Sequence, residues 1–301
     1  MSARAHHALL MAAGGGGYVD DYVTPYGVWS AEKKLIRAYS GNAIRVRRSS
    51  DNAEQDIAFA SGVLDTAALL SFVGANSGYV TKIYQQVAAL TGADLVQATT
   101  AAQPRIVNAG TLEADYVWHD GSNDYLRATL PAGGMASAAA TLFFRARINT
   151  VISGVIGGVV DVGYTGSGRG CAVYYDGRTT FAGIPGLCFG MADAGAVNYQ
   201  IRTFPNSVRS AVGAPHKITV RFDRAPTAAS DASIHMYMDG SDAGQTWGFS
   251  AGSDPSGAFD SPALNIGRQE AGGYYNQCGI HSIVLIAADA LAQRVDIEAL
   301  L

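Results

Sequence analysis

Apolar and charged residues alternate over residues 44–48, which predicts a half-buried β-strand because successive strand side chains point to opposite faces. The alternation breaks at residues 49–52, Ser-Ser-Asp-Asn, which are residue types that bond their own backbone and favour turns. Residues 79–84 alternate in the same way. The pattern therefore predicts two strands in this part of the chain, with a tight turn after the first.

Three segments have the spacing of short helices. Residues 30–39 carry a possible N-cap, Ser30, and residues 65–73 carry another, Asp65. Residues 289–301 place apolar side chains on one side of an amphipathic helix. We therefore predict two short helices near the N-terminus and one at the C-terminus.

From residue 104 onward, short apolar runs alternate with turn residues. Many short strands at this spacing favour a β-sandwich over a sheet with crossover helices. Asp239-Gly240 is a typical hairpin turn. The predicted strands are 105–107, 116–119, 125–128, 141–148, 155–162, 170–175, 186–191, 198–203, 216–223, 233–238, 263–266 and 278–286.

The N-terminal segment differs from the rest. Residues 8–13 are apolar and residues 14–17 are four glycines, which form a flexible hinge unless a partner orders them. We expect residues 1–17 to be an anchor arm that binds another protein, with simple disorder as the alternative. Residues 18–301 are expected to form one domain, with a helical elaboration over about residues 18–100.

Composition narrows the class of protein. Hydrophobic residues make up 48% of the 301 residues and charged residues 15%, which suits a well-buried core. A net charge of −4 without a basic run gives no footprint for nucleic acid. The three cysteines lack paired spacing, so we expect no disulfide framework and no metal. No apolar run is long enough to insert into a membrane, and no cofactor motif is present.

A charged cluster surrounds the first predicted turn. Guanidinium and carboxylate groups match as a bidentate fork, so such a cluster can hold an irregular loop in one shape. A catalytic or anion-binding role is the alternative. The residues of this structural ion-pair cluster are Arg45, Arg47, Arg48, Asp51 and Asp56, with Glu54 beside them.

The same region resembles a known family. Residues 44–56, 64–70, 78–86 and 94–97 resemble the catalytic-domain family of fungal α-L-arabinofuranosidase B, whose related modules occur in phage tail fibres and other virion proteins. The resemblance extends over roughly residues 26–126 and is fainter beyond. It implies a mainly β fold, a two-sheet antiparallel jelly-roll sandwich of the concanavalin A/laminin-G kind.

The resemblance also implies where catalytic acids should stand. One family acid falls at Ala192, or at Asp193 with a shifted gap, and the second falls at Gln269. An amide does not transfer a proton as a general acid. The family's Tyr-Asp-Gln-Ser reads Tyr84-Gln-Gln-Val87 here. We therefore expect that the protein is not an enzyme.

A carbohydrate-binding surface is expected instead. Aromatic rings and a few amides and carboxylates hold sugars in clefts. Asp161, Asp176 and Glu270 could line the same cleft, although loop acids in sandwiches are more often turn residues. The candidate carbohydrate-binding residues are Phe181, Asp193, Gln269, Tyr274, Tyr275 and Asn276.

The resemblance and the residues together lead to one expected function. This is a virion structural protein, a head or tail spike or fibre component of a phage or gene transfer agent. Its expected partners are host surface polysaccharide and, through residues 1–17, other virion proteins, with many copies in each particle. The alternatives are an active arabinofuranosidase-type glycosidase and a purely structural decoration protein.

Overall fold

The computed structural model describes most of the chain. The described residues are 17–114, 116–149, 156–164, 168–178, 186–193, 198–203, 213–225, 233–242, 247–251, 255–270 and 273–301. Residues 1–16, which contain most of the predicted arm, lie outside them.

A first antiparallel sheet is built around its longest strands, β11 and β21. One edge of β21 pairs with β11, and the other edge pairs with β9 and then β1. The sheet extends from β9 through β7, β5 and β2 to β3, and from β11 through β16 to β17. Its strands are β1 (Gly27–Ser30), β2 (Asn42–Arg48), β3 (Glu54–Ala60), β4 (Val63–Leu64), β5 (Gly78–Ile83), β7 (Arg105–Asn108), β8 (Thr111–Leu112), β9 (Val117–Asp120), β11 (Ala139–Ile148), β16 (Pro215–Asp223), β17 (Ile234–Met238), β18 (Ser241–Asp242) and β21 (Gln277–Ile286).

A second antiparallel series packs against the first. Its strands pair in the order β6–β10–β20–β12–β13–β14–β15–β19, and β6 also pairs with β5, which joins the two layers. The strands are β6 (Leu95–Val96), β10 (Leu126–Thr129), β12 (Ile156–Val162), β13 (Gly170–Asp176), β14 (Gly186–Ala192), β15 (Tyr199–Thr203), β19 (Trp247–Ala251) and β20 (Ala263–Ile266). The predicted antiparallel sandwich is confirmed.

The main core lies between the two layers. Phe144 of β11 and Ile283 of β21 pack in one cluster with Val160 of β12 and Leu264 of β20, and each is at most 1% exposed. A fully buried side chain of this size contributes roughly 1.5–3 kcal/mol by leaving water.

A bulge in β21 explains why its inward residues are three apart. The ladder pairs Arg145 with Ser282 but Ala146 with Ile280, so His281 is the extra residue. One extra residue shifts the two-residue period, which lets both Ile280 and Ile283 face the same core.

The C-terminal helix covers the outer face of β11 and β21. Helix α2 (Arg294–Leu300) follows a 3₁₀ turn and buries Ile297 against Phe143 and Val284. Apolar side chains of β11 and β21 therefore lie on both faces of these strands, Phe144 and Ile283 towards the main core and Phe143 and Val284 towards the helix. The predicted C-terminal helix is confirmed, although it begins five residues later than the pattern indicated.

Of the two helices predicted near the N-terminus, one is present. Helix α1 (Thr66–Val73) begins after Asp65, whose side chain accepts a hydrogen bond from the N–H of Ala68 at 2.9 Å. This is the N-cap bond that the sequence predicted.

The helix predicted over residues 30–39 is wrong. Ser30 is the last residue of β1 and pairs with Ser282, so its backbone is extended. Farther along, the N–H groups of Leu35 and Ile36 donate to the side-chain oxygen of Gln86 at 2.8 and 3.3 Å. A contact with a residue about fifty positions away therefore replaces the helical hydrogen bonds.

Replacing Gln86 should destabilise the fold. Gln86→Ala leaves two buried N–H groups without an acceptor, and each such group costs about 1–3 kcal/mol. We expect a clear fall in the denaturant midpoint, measured by chemical unfolding. Gln55→Ala, at an exposed glutamine of β3, is the matched control and should change little. Equal effects from both variants would contradict this role of Gln86.

Candidate functional site

Four side chains on one face of the first sheet line up across β2, β5, β7 and β9. In the ladders, Arg47 lies opposite Tyr79, Tyr79 opposite Arg105, and Arg105 opposite Trp118. Directly paired residues project to the same face, with Cβ atoms about 4.5–5.5 Å apart. The sheet therefore presents a row in which arginine and aromatic side chains alternate, which we call the Arg–aromatic row.

A cavity of about 550 Å³ opens over this row. The turn from Asp120 to Asp124 forms part of its wall, and Asp120 Oδ1 holds the turn by accepting hydrogen bonds from the N–H groups of Ser122 and Asn123. Cavities of about 300–1,000 Å³ are typical of small-ligand sites. The lining residues of this main cleft are Arg47, Ser49, Tyr79, Thr100, Ala101, Gln103, Arg105, Trp118, Asp120 and Asp124.

Arg47 lines the main cleft, and its guanidinium forms hydrogen bonds to neutral side chains. Its Nε donates to Gln103 Oε1 at 2.6 Å and its Nη1 to Asn52 Oδ1 at 2.9 Å, while the guanidinium lies 4.8 Å from the centroid of the Tyr79 ring. Among the described residues no carboxylate forms an ion pair with Arg47. Its assignment to the ion-pair cluster was therefore wrong, because Gln103, Asn52 and the Tyr79 ring hold its guanidinium instead of a carboxylate.

The remaining arginines of that cluster form three ion pairs in two separate surface groups. Arg45 lies 2.6 Å from Glu54 and 3.2 Å from Asp56, and Arg48 lies 2.6 Å from Asp51. These side chains are between 29% and 48% exposed. Exposed pairs of this kind contribute roughly 0–1 kcal/mol, so they shape the turn rather than hold the core.

Asp124 is the unusual acid of the main cleft. It is 7% exposed, and burial together with the charge of Asp120 raises its pKa to about 7. Its Oδ2 accepts a hydrogen bond from the N–H of Asp120 at 3.1 Å. Near neutral pH this carboxyl can hold a proton and donate a hydrogen bond, whereas an ordinary aspartate only accepts.

The loop between β20 and β21 borders the main cleft. Gln277, the first residue of β21, lies opposite Asp120 in the ladder with β9. On this loop Tyr274 is 42% exposed, and it is the one aromatic side chain of the described residues with that much exposure. The loop that ends beside Asp120 therefore carries an open aromatic ring.

Contacts between aromatic and charged side chains hold this loop. The Tyr275 and Tyr125 rings are 6.3 Å apart, and the guanidinium of Arg268 lies 3.7 Å from the Tyr125 centroid. Arg127 pairs with Glu270 at 2.8 Å on the neighbouring strand and loop. These contacts hold the loop against β10.

Two of the predicted carbohydrate-binding residues, Asn276 and Gln269, form hydrogen bonds that hold the loop itself. Asn276 is 1% exposed and donates from Nδ2 to the carbonyl of Gly157 at 3.3 Å. Gln269 is 3% exposed, and its N–H donates to the carbonyl of Tyr274. The structure thus brings both residues to the loop, but it places their side chains inside the protein.

Asp193 lies elsewhere, at the end of β14. It accepts a hydrogen bond from Asn198 at 2.9 Å and pairs with Arg224, whose side chain is fully buried. Phe181 lies outside the described residues. The structure therefore does not bring Asp193 together with the Tyr274 loop.

The face of β14 that carries Gly190 is packed rather than open. A Cβ at Gly190 would lie 2.7 Å from the ring of Tyr164, which in turn stacks 5.9 Å from Tyr174. Ala192 belongs to the same buried cluster. A tyrosine thus fills the space beside the position at which the family resemblance places an acid.

Asp161 lies in β12, and its side chain holds the turn that follows this strand. It is fully buried, and its carboxylate accepts the N–H groups of Tyr164 at 2.9 Å and Glu270 at 3.2 Å. Burial raises its pKa to about 7. The sequence named it as a possible cleft acid, but its bonds tie β12 to the β20–β21 loop.

Sequence reasoning missed the residues of the Arg–aromatic row other than Arg47. Alternation over residues 79–84 and 116–119 does place Tyr79 and Trp118 on one side of their strands. The pairing of those strands through β7 has no local signal. Trp118 and Arg47 are 71 positions apart in the chain but lie in one row.

Two features are absent from the described residues. No group of three or more His, Cys, Asp or Glu side chains there is placed to hold a metal ion. No helix of the described part is long and apolar enough to span a bilayer.

Part of the chain is similar to a known family. Residues 21–125 match the family model of the catalytic domain of α-L-arabinofuranosidase B. No curated protein sequence matches the chain.

Solved structures share the fold. A GH54 α-L-arabinofuranosidase soaked with a cyclic sulfate inhibitor is 15% identical, with a TM-score of 0.59. An arabinofuranosidase complexed with arabinofuranosyl-α-1,2-xylobiose is 14% identical, with a TM-score of 0.55. Each alignment covers 92% of this chain and 62% of the other. The chain thus has the β-sandwich of these enzymes and spans less than two thirds of their length.

The expectation that the protein is not an enzyme is contradicted by these matches. Residues 21–125 match the family model of a catalytic domain. The fold over 92% of the chain is similar to that of solved arabinofuranosidases. The two substituted acid positions were too narrow a basis for the expectation, because they did not include the carboxyl groups of the main cleft.

The raised pKa of Asp124 should make stability depend on pH. Between pH 4 and 7 the unfolded chain releases this proton while the folded protein keeps it, so the folded state loses stability as pH rises. Asp124→Asn keeps the acceptor for the Asp120 N–H and removes the ionisation. We expect the variant to gain stability over the parent between pH 5 and pH 8, measured by chemical unfolding.

Asp51→Asn is the control for that experiment. The Arg48 guanidinium and the Ala53 N–H lower the pKa of Asp51 to about 2, so its ionisation is complete well below this pH range. Its stability difference from the parent should therefore stay constant from pH 5 to pH 8. The same flat difference for Asp124→Asn would mean that Asp124 ionises like an exposed acid.

Proposed function

We propose that the protein attaches a phage or phage-like gene transfer agent particle to bacterial surface polysaccharide through the main cleft. The observation that carries this proposal is the Arg–aromatic row beneath a cavity of about 550 Å³. The arabinofuranosidase-type sandwich is consistent with a carbohydrate ligand.

The chemistry of the cleft suits a sugar. A pyranose ring has apolar C–H faces, which pack on aromatic rings such as Trp118 and Tyr79, and hydroxyls around its edge. Asp120 accepts hydrogen bonds from hydroxyls, and Asp124 near neutral pH can also donate one. Arg47 adds a positive charge without an acid partner among the described residues, which favours sugars that bear a carboxylate or another acidic group.

Tyr274 extends the binding surface beyond the cavity. Its exposed ring stands on a loop that stacking and backbone bonds hold in place, so little conformational freedom is lost when a ligand binds. A polysaccharide that enters the cleft can continue over this ring with its next sugar units.

The assignment to a particle is supported by the resemblance of residues 26–126 to modules of virion proteins. In this proposal residues 1–17 bind other virion proteins and each particle carries many copies. One small cleft binds weakly, but linked sites can exceed the affinity of one site by roughly 10²–10⁴.

Removing the aromatic rings should weaken adsorption. Trp118→Ala and Tyr274→Ala each remove a sugar-facing ring, and we expect about tenfold weaker binding of multimerised protein to capsular or cell-wall polysaccharide, which is 1.4 kcal/mol. Surface plasmon resonance over immobilised polysaccharide measures this. Particles that carry each variant should adsorb to cells more slowly and assemble normally.

Val63→Ala is the matched control, because Val63 is 53% exposed and lies on β4, away from the cleft. It should bind like the parent. If the double variant Trp118→Ala/Tyr274→Ala binds like the parent in both assays, the carbohydrate proposal is withdrawn and a decoration role is supported.

A second candidate function is glycoside hydrolysis in the same cleft. Glycosidases use two carboxyl groups, one of which keeps its proton near neutral pH and acts as the general acid. Asp124 and Asp120 are such a pair, since the pKa of Asp124 is raised to about 7 and Asp120 is exposed. The matches to arabinofuranosidase catalytic domains favour this candidate.

If the cleft is catalytic, Asp124→Asn should lose activity. Removal of a general acid typically lowers the rate by about 10²–10⁴-fold. Release of nitrophenol from nitrophenyl arabinofuranosides, and of reducing ends from bacterial polysaccharide, measures turnover. The same loss in Asp193→Asn but not in Asp124→Asn would place the catalytic acid at β14 instead.

A further inference from the structure

The main cleft holds two arginines, one on each side of an aromatic ring. In the ladders, Arg47 of β2 and Arg105 of β7 both lie opposite Tyr79 of β5, so the three side chains project to the same face. The strands β2 and β7 are two strand spacings apart, which is roughly 10 Å. All three residues line the cleft, so a ligand that packs on the Tyr79 ring lies between two positively charged side chains.

Arg105 has donors left for a ligand. Its Nε donates to Glu113 Oε1 at 2.6 Å, which is its one side-chain hydrogen bond among the described residues. The two Nη atoms carry the other N–H groups of the guanidinium. Neither of them is closed off from solvent, and the side chain is 31% exposed. Arg105 can therefore donate to an acceptor in the cleft while it keeps its bond to Glu113.

Arg47 also has donors that the protein does not use fully. Its Nη1 donates to Asn52 Oδ1 at 2.9 Å, but the one acceptor of its Nη2 among the described residues is the carbonyl of Thr100, at 3.5 Å. A donor and acceptor at that distance form a weak hydrogen bond at best. A carboxylate fits a guanidinium closely, because two parallel N–H···O bonds can form. The two arginines therefore favour a ligand that carries a carboxylate.

Asp124 presents one oxygen to the same cleft. Its Oδ2 accepts the N–H of Asp120 at 3.1 Å, whereas its Oδ1 has no partner among the described residues and is not closed off from solvent. The charges of both Asp120 and Arg105 act on this carboxyl. Asp124 is therefore close enough to one of the two arginines that its own charge changes the potential in which an anionic ligand binds.

The proton of Asp124 sets the net charge of the cleft. Burial and the charge of Asp120 raise the pKa of Asp124 to about 7, so the carboxyl is neutral at pH 5.5 and ionised at pH 8.5. With Asp124 neutral, the lining carries the positive charges of Arg47 and Arg105 and the negative charge of Asp120. With Asp124 ionised, positive and negative charges in the lining are equal in number.

Two other titratable groups near Asp124 keep one charge state over this pH range. The ring of His119 and the carbonyl of Asp124 both lie beside Gly267, and burial lowers the pKa of His119 to about 4. The Cys278 thiol on β21 is also buried, which raises its pKa. Both therefore stay neutral from pH 5.5 upward, and the guanidinium groups stay charged.

We propose that the main cleft binds the carboxylate of a uronic acid through Arg47 and Arg105, and that the proton of Asp124 controls this binding. With Asp124 neutral, the two guanidinium groups outweigh the single charge of Asp120, and the Asp124 O–H can donate to the ligand. With Asp124 ionised, its charge repels the carboxylate. This inference rests on the function proposed for the cleft and narrows it to polysaccharides that contain uronic acids, with binding that weakens as pH rises.

The test titrates the whole protein with two matched pairs of sugars at pH 5.5 and pH 8.5. The pairs are methyl glucuronide with methyl glucoside, and methyl galacturonide with methyl galactoside. Within a pair only carbon 6 differs, as a carboxylate or a hydroxymethyl group. The indole N–H signal of Trp118, followed by ¹⁵N NMR, reports binding. We expect at least one uronic acid glycoside to bind about tenfold more tightly at pH 5.5 than at pH 8.5, and its neutral counterpart to show no such change.

Linkage gives a second measurement of the same coupling. If the protonated protein binds the uronic acid about tenfold more tightly, the bound sugar must raise the pKa of Asp124 by about 1. The ¹³C signal of the Asp124 carboxyl, followed from pH 5 to pH 9 with and without the sugar, measures this rise. An Asp124 titration that the sugar does not move overturns the proposal.

Asp124→Asn removes the ionisation, so its affinity for the uronic acid should change by less than about twofold between the two pH values. Asp289→Asn is the matched control, because Asp289 is 46% exposed and pairs with Arg221 outside the cleft. It should keep the parental pH dependence. Arg105→Gln should lower the preference for the uronic acid over its neutral counterpart by about tenfold at pH 5.5.

The outcomes separate this inference from the function on which it rests. Neutral sugars that bind as tightly as the uronic acids at pH 5.5 support a carbohydrate cleft and overturn the inference. A pH dependence that persists in Asp124→Asn, or an unchanged preference in Arg105→Gln, also overturns it. If no sugar shifts the Trp118 signal at either pH, carbohydrate binding in this cleft fails and the inference fails with it. If a variant does not fold, the ¹³C titration of the parent decides.

Discussion

The pairing of β21 on both of its edges is the constraint on which the rest of the fold depends. Its ten residues join β11 on one side and β9 and β1 on the other, so they connect the strands between residues 27 and 120 to β11 and, through it, to β16 and β17. The bulge at His281 keeps Ile280 and Ile283 in the core. The start of β21 also sets the position of the Tyr274 loop beside Asp120, because Gln277 and Asp120 are ladder partners.

Arg47 and Gln85 are buried polar side chains that are not paired in the usual way. Most charged side chains of the first sheet have a partner of opposite charge, as Arg45, Arg48 and Arg105 do. Arg47 instead has neutral partners, and Gln85 has none among the described residues. Each side chain is 8% exposed, and Arg47 lines the main cleft. A buried polar group without a partner reduces the stability of the protein.

Family resemblance and local chemistry gave different information about function. The resemblance predicted the sandwich, and the fold of arabinofuranosidases agrees with it. It also directed attention to Asp193 and Gln269, which the structure shows in internal bonds. The expectation of a protein without enzymatic activity followed from those positions and from the altered motif at residues 84–87, and the matches to catalytic domains contradict it.

The sequence by itself determined the features that depend on near neighbours in the chain. Alternation predicted β2 and β5, the cap of Asp65 predicted α1, and strand spacing with turn residues predicted an antiparallel sandwich. Only the tertiary structure decided features that depend on contacts between distant residues. Gln86 replaces a predicted helix at residues 30–39, and the ladders place Arg47, Tyr79, Arg105 and Trp118 in one row. The physical reason is that strand register and side-chain partners are set by packing across the sheet, which no local pattern records.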